Sequence, residues 1–273
     1  MYSTGGLTMA GYGLVNLIRE FCDEFHVIIP FKAYSCATLI SLGANSISMT
    51  RMGQLSPIDP SLEHPLGPVV QLPGQPPRIM PVSVEDVNAY IDLATKEVKL
   101  KEESSMAKVF EILSTKVHPM VLGAVQRSRE QIGFLARSLL KMHMMNSRRI
   151  EKIVSVMTSE SFSHTYLISR KEARQVLGLN IIDAEPEVMR LFEEYRKILL
   201  LEQPFNPETF LGTEPKKVGQ FDRALIESRE LTHVFRTIKS IERASITQPG
   251  IPIPVSGYQE IINQEEWIKC LDI

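Results

Sequence analysis

The stretch His26-Val27-Ile28-Ile29-Pro30-Phe31-Lys32-Ala33-Tyr34-Ser35-Cys36-Ala37-Thr38-Leu39-Ile40-Ser41-Leu42-Gly43-Ala44 decides the fold class. Its first residues are a short β-branched run closed by proline, which reads as a buried strand of a parallel sheet. A sharp turn at Phe31 to Tyr34 leads into Cys36 to Ala44, small and apolar enough for a buried helix with Gly43 near its end. Ser46-Ile47-Ser48-Met49 then alternates like another strand. Upstream, Met9, Leu14, Val15, Leu17, Ile18 and Phe21 recur at helical spacing after a Gly5-Gly6 turn, with Arg19, Glu20, Asp23 and Glu24 as the polar face. Turn, helix, strand, turn, helix, strand is the order of a parallel α/β layer with right-handed crossovers and helix-covered faces.

Further along, residues 53 to 82 carry eight prolines, a density that forbids regular helix and confines any strand to an edge. This segment reads as a long ordered loop or a lid. Ser83-Val84-Glu85-Asp86 opens a capped helix, and helical periodicity runs on to about residue 157 with breaks at Pro119 and at Asn146-Ser147. Ser169-Arg170-Lys171-Glu172-Ala173 opens another capped helix ending at Leu177-Gly178, before a short strand Leu179-Asn180-Ile181-Ile182. After Asp183 the texture changes: a charged helix around 188 to 201, a Pro/Gly-rich connection at 204 to 214, a second helix near 219 to 242 and an irregular end. The expected organisation is an α/β domain over residues 1–184 and a mostly helical extension over 185–273. No internal repeat is evident.

Thirty Lys and Arg against thirty-two Asp and Glu give a formal charge of -2, which argues against a nucleic-acid-coating or polybasic membrane protein. Cys22, Cys36 and Cys270 form neither a disulfide framework nor a CxxC pair, and suit a reducing compartment. No run approaches the roughly eighteen apolar residues of a membrane helix, and no leader follows Met1, so the chain reads as cytoplasmic. His26, His118, His143 and His233 lack metal-site spacing, Met142, Met144 and Met145 read as helix packing, and no GxGxxG or P-loop occurs. Neither a metal nor a cofactor is expected.

The features that can carry chemistry lie close together in sequence. A Gly-Gly turn at a helix start presents free N–H groups able to hold a phosphate or an oxyanion, although such turns also simply relieve backbone strain. Ser35 follows a strand and opens a helix of small residues, which sets its hydroxyl at the positive helix end beside the Cys36 amide. The plainer reading of Ser35 is an N-cap. Asp59 lies in the proline-rich loop.

The ordered series Ser3-Thr4-Gly5-Gly6, amphipathic helix, Val27-Ile28-Ile29-Pro30 and Ala33 to Ala44 resembles the Clp protease/crotonase fold as serine peptidases use it, most like ClpP and signal peptide peptidase A. Within that group, Gln54-Leu55-Ser56-Pro57-Ile58-Asp59-Pro60, then Ser163-His164-Thr165-Tyr166-Leu167-Ile168-Ser169-Arg170-Lys171-Glu172-Ala173 and Gly178-Leu179, resemble the serine dehydrogenase proteinase family. The resemblance covers about residues 2 to 184. It implies that Ser35 is the nucleophile and that the amides of Gly6 and Cys36 form the oxyanion hole. Asp59 stands where ClpP-type enzymes place their basic His. The lysine that signal peptide peptidases use has no counterpart between Lys32 and Lys96, and Lys96, Lys99 and Lys101 are spaced like a solvated helix face. His164 is the preferred base, with Asp59 orienting it or lining the cleft, and His64 in the proline-rich loop is the alternative. Cys36 as nucleophile places its thiol one residue out of register.

The leading expectation is thus a serine peptidase acting on a peptide or protein through an acyl-enzyme, with no cofactor. One alternative is a catalytically inactive Clp-fold assembly or partner-binding module, favoured by the Asp at the base position. Another is a crotonase-like acyl-CoA enzyme that uses the same paired amides. The family name mentions a dehydrogenase, but no nicotinamide fingerprint accompanies it. The resemblance also implies a homo-oligomer with the long helices as contact surfaces. It further implies a chain shortened at its N-terminus, because in that fold at least one strand precedes the Gly-Gly turn; an N-terminal membrane segment common in the family is absent from these residues.

Overall fold

The computed structural model describes residues 1–58, 61–70, 78–160, 166–198, 205–246 and 255–270. The chain forms two units, the first running to Phe192 and the second beginning at Glu193. In the first, α1 (Thr8–Arg19) precedes β1 (His26–Ile29), β2 (Lys32–Ala33), α2 (Cys36–Leu42), β3 (Ser46–Met49) and β4 (Gln54–Leu55). Four two-residue strands follow: β5 (Ser61–Leu62), β6 (Val69–Val70), β7 (Arg78–Ile79) and β8 (Val82–Ser83). Then come α3 (Val84–Asp92), α4 (Glu103–Lys116), α5 (Pro119–Lys141), α6 (Ser147–Ser155), β9 (Ile168–Ser169), α7 (Arg170–Gln175) and β10 (Ile181–Asp183).

The parallel layer is present. β3 lies between β1 and β10, parallel to both, with Ile47 opposite Val27 on one side and Ile181 on the other. Val27, Ile29, Ile47 and Met49 pack into one core with Val15 of α1, Leu39 and Leu42 of α2, Leu135 and Leu139 of α5 and Ile153 of α6. The β1 strand is not buried on both faces as its composition suggests: Val27 and Ile29 are buried, whereas Ile28 of β1 and Ile182 of β10, which flank Ser48 of β3 on either side, stand half-exposed. With a period of two, a strand covered on one face buries only alternate residues. A second, small sheet runs β2-β4-β9, with β2 and β4 parallel and β9 antiparallel. Ser3 extends it, pairing parallel to Ala33 through Ser3 N–H to the Lys32 carbonyl (2.9 Å) and Tyr34 N–H to the Ser3 carbonyl (3.0 Å).

The proline-rich segment is not wholly loop. Its described parts form two short antiparallel ladders, β5 with β8 and β6 with β7, each two residues long because the intervening prolines cannot donate to a ladder. Both helix breaks fall where the sequence puts them. Pro119 opens α5 with His118 as its cap, and the Asn146 side chain accepts from Arg149 N–H at the start of α6.

The C-terminal unit corrects the expected helical extension. The helix α8 (Pro186–Ile198), which starts in the first unit, and the short α9 (Pro207–Leu211) are helical. Residues 219–242 are not: β11 (Lys216–Glu227), β12 (Thr232–Ile246) and β13 (Val255–Cys270) form an antiparallel sheet in that order. Val234, Phe235, Thr237, Ile238 and Ile241 give β12 a β-branched and aromatic character. The charges that look like a helical face pair across strands instead, Arg236 with Asp222 (2.7 Å) and Lys239 with Glu260 (2.7 Å). The division also falls at Phe192 rather than 184, since Phe192 is buried with its ring 5.4 Å from Tyr2 and 6.2 Å from Phe31.

The α1–α2 crossing is close enough to need a glycine. A Cβ on Gly11 would lie 2.5 Å from the Cys36 sulfur and 3.2 Å from Ile40 Cγ1. In a free helix, Gly to Ala is stabilising. Here Gly11→Ala is expected to cost about 1–3 kcal/mol through overpacking, and Cys36→Ala in the same chain should recover most of the loss, as denaturant melts of the four-member cycle will show.

Candidate active site

Between β2 and α2 the chain turns within two residues, and the turn is held from several directions. Tyr34 N–H is fixed by the Ser3 carbonyl, and its hydroxyl donates to Gln54 Oε1 at 2.5 Å. Ser35 N–H donates to the hydroxyl oxygen of Ser56 at 2.8 Å. Ser56 is itself buried, its N–H donating to Thr38 Oγ1 (3.1 Å), while the Thr38 hydroxyl donates to the Ala33 carbonyl (2.7 Å). This relay closes a ring of hydrogen bonds behind Ser35.

The consequence is a strained backbone. Ser35 sits at φ 51, ψ -112, in a sparsely populated region that costs a non-glycine residue on the order of 1–3 kcal/mol. Its hydroxyl accepts from none of the α2 N–H groups. The N-cap reading therefore fails at this position, and the chain itself supplies the contrast: Ser83 and Ser169 hold extended backbones and accept from Asp86 N–H and Glu172 N–H. A serine that is strained yet caps nothing is the pattern of a strand-to-helix nucleophile elbow.

Gly5 lies against that serine. Its φ is +129, and a Cβ added there would stand 3.3 Å from Ser35 Cβ and 3.7 Å from Ser35 Oγ. Ser3 Oγ accepts the Gly5 N–H at 3.1 Å and fixes the turn. The structure thus brings together two sequence-predicted elements, the Gly5-Gly6 turn and the Ser35–Cys36 helix start. Among the described residues, the amides of Gly6 and Cys36 have no hydrogen-bond acceptor, and neither does the Ser35 hydroxyl.

The Cys36 thiol is excluded from nucleophilic work. It is buried against α1, donates to the Leu7 carbonyl at 3.2 Å, and burial pushes its pKa up, which suppresses the thiolate.

Asp59 and His164 lie outside the described residues. Of the described residues, Ile58 donates its N–H to the Met157 carbonyl (2.9 Å), and Ile168 pairs with Leu55, the residue before Ser56. The third candidate, His64, is half-buried and committed to its own turn, its Nδ1 accepting from Leu66 N–H at 3.1 Å. Lys96 pairs with Asp92 at 2.8 Å on an exposed surface, as a solvated helix face should. No group of metal-ligating residues occurs among the described residues. The sequence reading overlooked Ser56 and Thr38 because short hydroxyl side chains carry no pattern of their own. A second row of polar groups also lay outside that reading: His26 Nδ1 lies 2.7 Å from Ser46 Oγ and Nε2 lies 3.3 Å from Glu24. That row sits at the start of β1, at the opposite end of the strand from the turn to Ser35, and its serine is buried.

Two outcomes follow from this geometry. Ser35→Gly relieves the positive φ and should raise stability by about 1 kcal/mol in chemical denaturation, whereas the same change at the ordinary cap Ser169 should lower it by a few tenths. Iodoacetamide at mildly alkaline pH should modify Cys22 about tenfold or more faster than Cys36, as peptide mapping by mass spectrometry will read, because burial keeps the Cys36 thiol protonated.

The chain matches no family model, and no solved structure matches it. Over 199 residues it is 25% identical to an uncharacterized protein of Methanocaldococcus jannaschii, a stretch covering 72% of this chain and 57% of that protein, so the chain spans little more than half the length of that relative.

Proposed function

We propose that this protein is a serine hydrolase of Clp protease/crotonase fold, related to the serine dehydrogenase proteinase family, that cleaves peptide bonds through an acyl-enzyme on Ser35. The observation that carries the reading is Ser35 itself: a non-glycine residue held at φ 51 by a buried hydrogen-bond ring, with a hydroxyl that caps no helix. Strain of this kind persists where surrounding structure over-determines it, and a nucleophile that must project from a turn is one reason to keep it.

In this mechanism Ser35 Oγ attacks the substrate carbonyl carbon while its proton passes to the base, for which His164 oriented by Asp59 is the assignment. The carbonyl oxygen becomes an oxyanion that accepts hydrogen bonds from the Gly6 and Cys36 amides, donors each worth on the order of 10²–10³ in rate. The C–N bond then breaks, the amine leaves with the proton held by the base, and water hydrolyses the ester by the same route. Neither amide needs to move or break an existing bond to engage, because neither has an acceptor among the described residues. A non-catalytic role in assembly is the second reading, and the aspartate at position 59, where related enzymes place a histidine, favours it.

A fluorophosphonate probe decides between them. The protein should be labelled on Ser35, Ser35→Ala should not be labelled, and Ser56→Ala, which removes the acceptor for Ser35 N–H, should be labelled about tenfold or more slowly. Equal labelling of the native chain and Ser35→Ala, or none of a folded native chain, overturns the hydrolase reading; the second result leaves the assembly role.

A further inference from the structure

Away from Ser35, a cavity of about 360 Å³ lies between α5 and α6, and none of Gly6, Ser35, Cys36 and Ser56 lines it. One face of α5 supplies Gln126, Arg129, Glu130, Gly133 and Arg137 at helical spacing, and α6 supplies Glu151. A crevice between packed helices is normally closed by apolar side chains. This one is lined by charge, and the charge is unevenly spent. Arg137 Nε donates to both Glu151 oxygens, at 2.9 and 3.0 Å, so these two residues form a closed pair. Arg129 is half-buried and has no hydrogen-bond or ion-pair partner among the described residues. Glu130 accepts only from the neutral Gln126 amide, at 2.9 Å, and no described cation pairs with it. As neighbours in sequence, Arg129 and Glu130 do not face each other on the helix, so the cavity holds one unmatched charge of each sign.

Gly133 is the second observation. It is buried within the 23-residue α5, where glycine is the least favoured residue after proline. Packing against α6 does not demand it: a Cβ there would stand 3.9 Å from Val154 Cγ1 and meet only the flexible Arg137 Nη1 at 3.0 Å. What the missing side chain provides is a floor on which the Arg137 guanidinium lies.

We propose that this cavity binds a small zwitterion, a dipeptide or free amino acid, with its carboxylate on the Arg129 guanidinium and its ammonium on Glu130. Charge selects the class. A ligand carrying both signs matches both unpaired groups at once, whereas a phosphate dianion would satisfy Arg129 and be repelled by Glu130. Arg129 suits a carboxylate in particular, because a guanidinium edge meets its two oxygens with two parallel hydrogen bonds. Size agrees, since a cavity of 360 Å³ has room for about a dozen water-sized groups. A dipeptide of two alanines has about that many non-hydrogen atoms. The inference concerns binding alone and is independent of the catalytic reading.

Isothermal titration calorimetry of the full chain with L-alanyl-L-alanine tests it. The dipeptide should bind, and capping either end, as the N-acetyl or the C-amide form, should weaken binding at least about tenfold. Arg129→Met and Glu130→Gln should each do the same while leaving the circular-dichroism melt nearly unchanged, since neither residue belongs to the core. Gly133→Ala should melt higher, because alanine favours the helix, and yet bind at least about tenfold more weakly as its methyl group displaces the Arg137 guanidinium. No heat of binding up to about 10 mM dipeptide, capped dipeptides that bind as well as the free one, or unchanged affinity in Arg129→Met overturns the inference. So does inorganic phosphate binding more tightly than the dipeptide, which would assign the cavity to simple anions.

Discussion

The hydrogen bond from Ser35 N–H to the buried Ser56 hydroxyl is the constraint on which the site depends. A chain leaving a strand can enter a helix in an extended conformation with a capping side chain, as it does at Ser83 and Ser169, and that route carries no strain. At Ser35 the amide is claimed from behind by Ser56, which Thr38 in turn positions. The residue cannot relax to the extended cap without breaking a bond to a buried oxygen, and an unpaired buried donor or acceptor costs about 1–3 kcal/mol. That cost is comparable with the strain it maintains, so the turn is stable as a unit, and among the described residues the hydroxyl has no hydrogen-bond acceptor.

The same turn explains the glycines. A side chain on Gly5 would press on Ser35, and one on Gly11 would meet the Cys36 sulfur. The first glycine lets the loop approach the serine, while the second lets α1 cross α2 closely enough to bring that loop into position. Cys36 belongs to both contacts: its sulfur is a small buried packing group against α1, and its amide opens α2 directly after Ser35.

Much of the first unit was legible because it is written in local signals. Prolines at 30 and 119, caps at Ser83 and Ser169, the break at Asn146-Ser147, the β-branched run at 27–29 and the alternation at 46–49 each act over a few residues, and the parallel layer follows from their order. What escaped depends on partners distant in sequence. Ile28 reads as buried, but no layer among the described residues covers its side of the strand and it stands half-exposed, and Ser56 acquires its place only by lying next to Ser35. The C-terminal strands escaped for another reason: alternating Arg, Lys and Glu in 216–243 imitate a charged helical face, and only the cross-strand pairs Arg236–Asp222 and Lys239–Glu260 reveal a ladder.

The packing of α1 bears on the same turn. Gly11 and Val15 are buried and hold the helix against the core, and interiors packed to this density yield little to local displacement. The Gly5-Gly6 turn leads into that helix through Leu7, and a side chain on Gly5 would press on Ser35. An oxyanion donor is useful only when already aimed at the developing charge, so on the proposed reading the firm seating of α1 against α2 is what would keep the Gly6 amide in place beside Ser35.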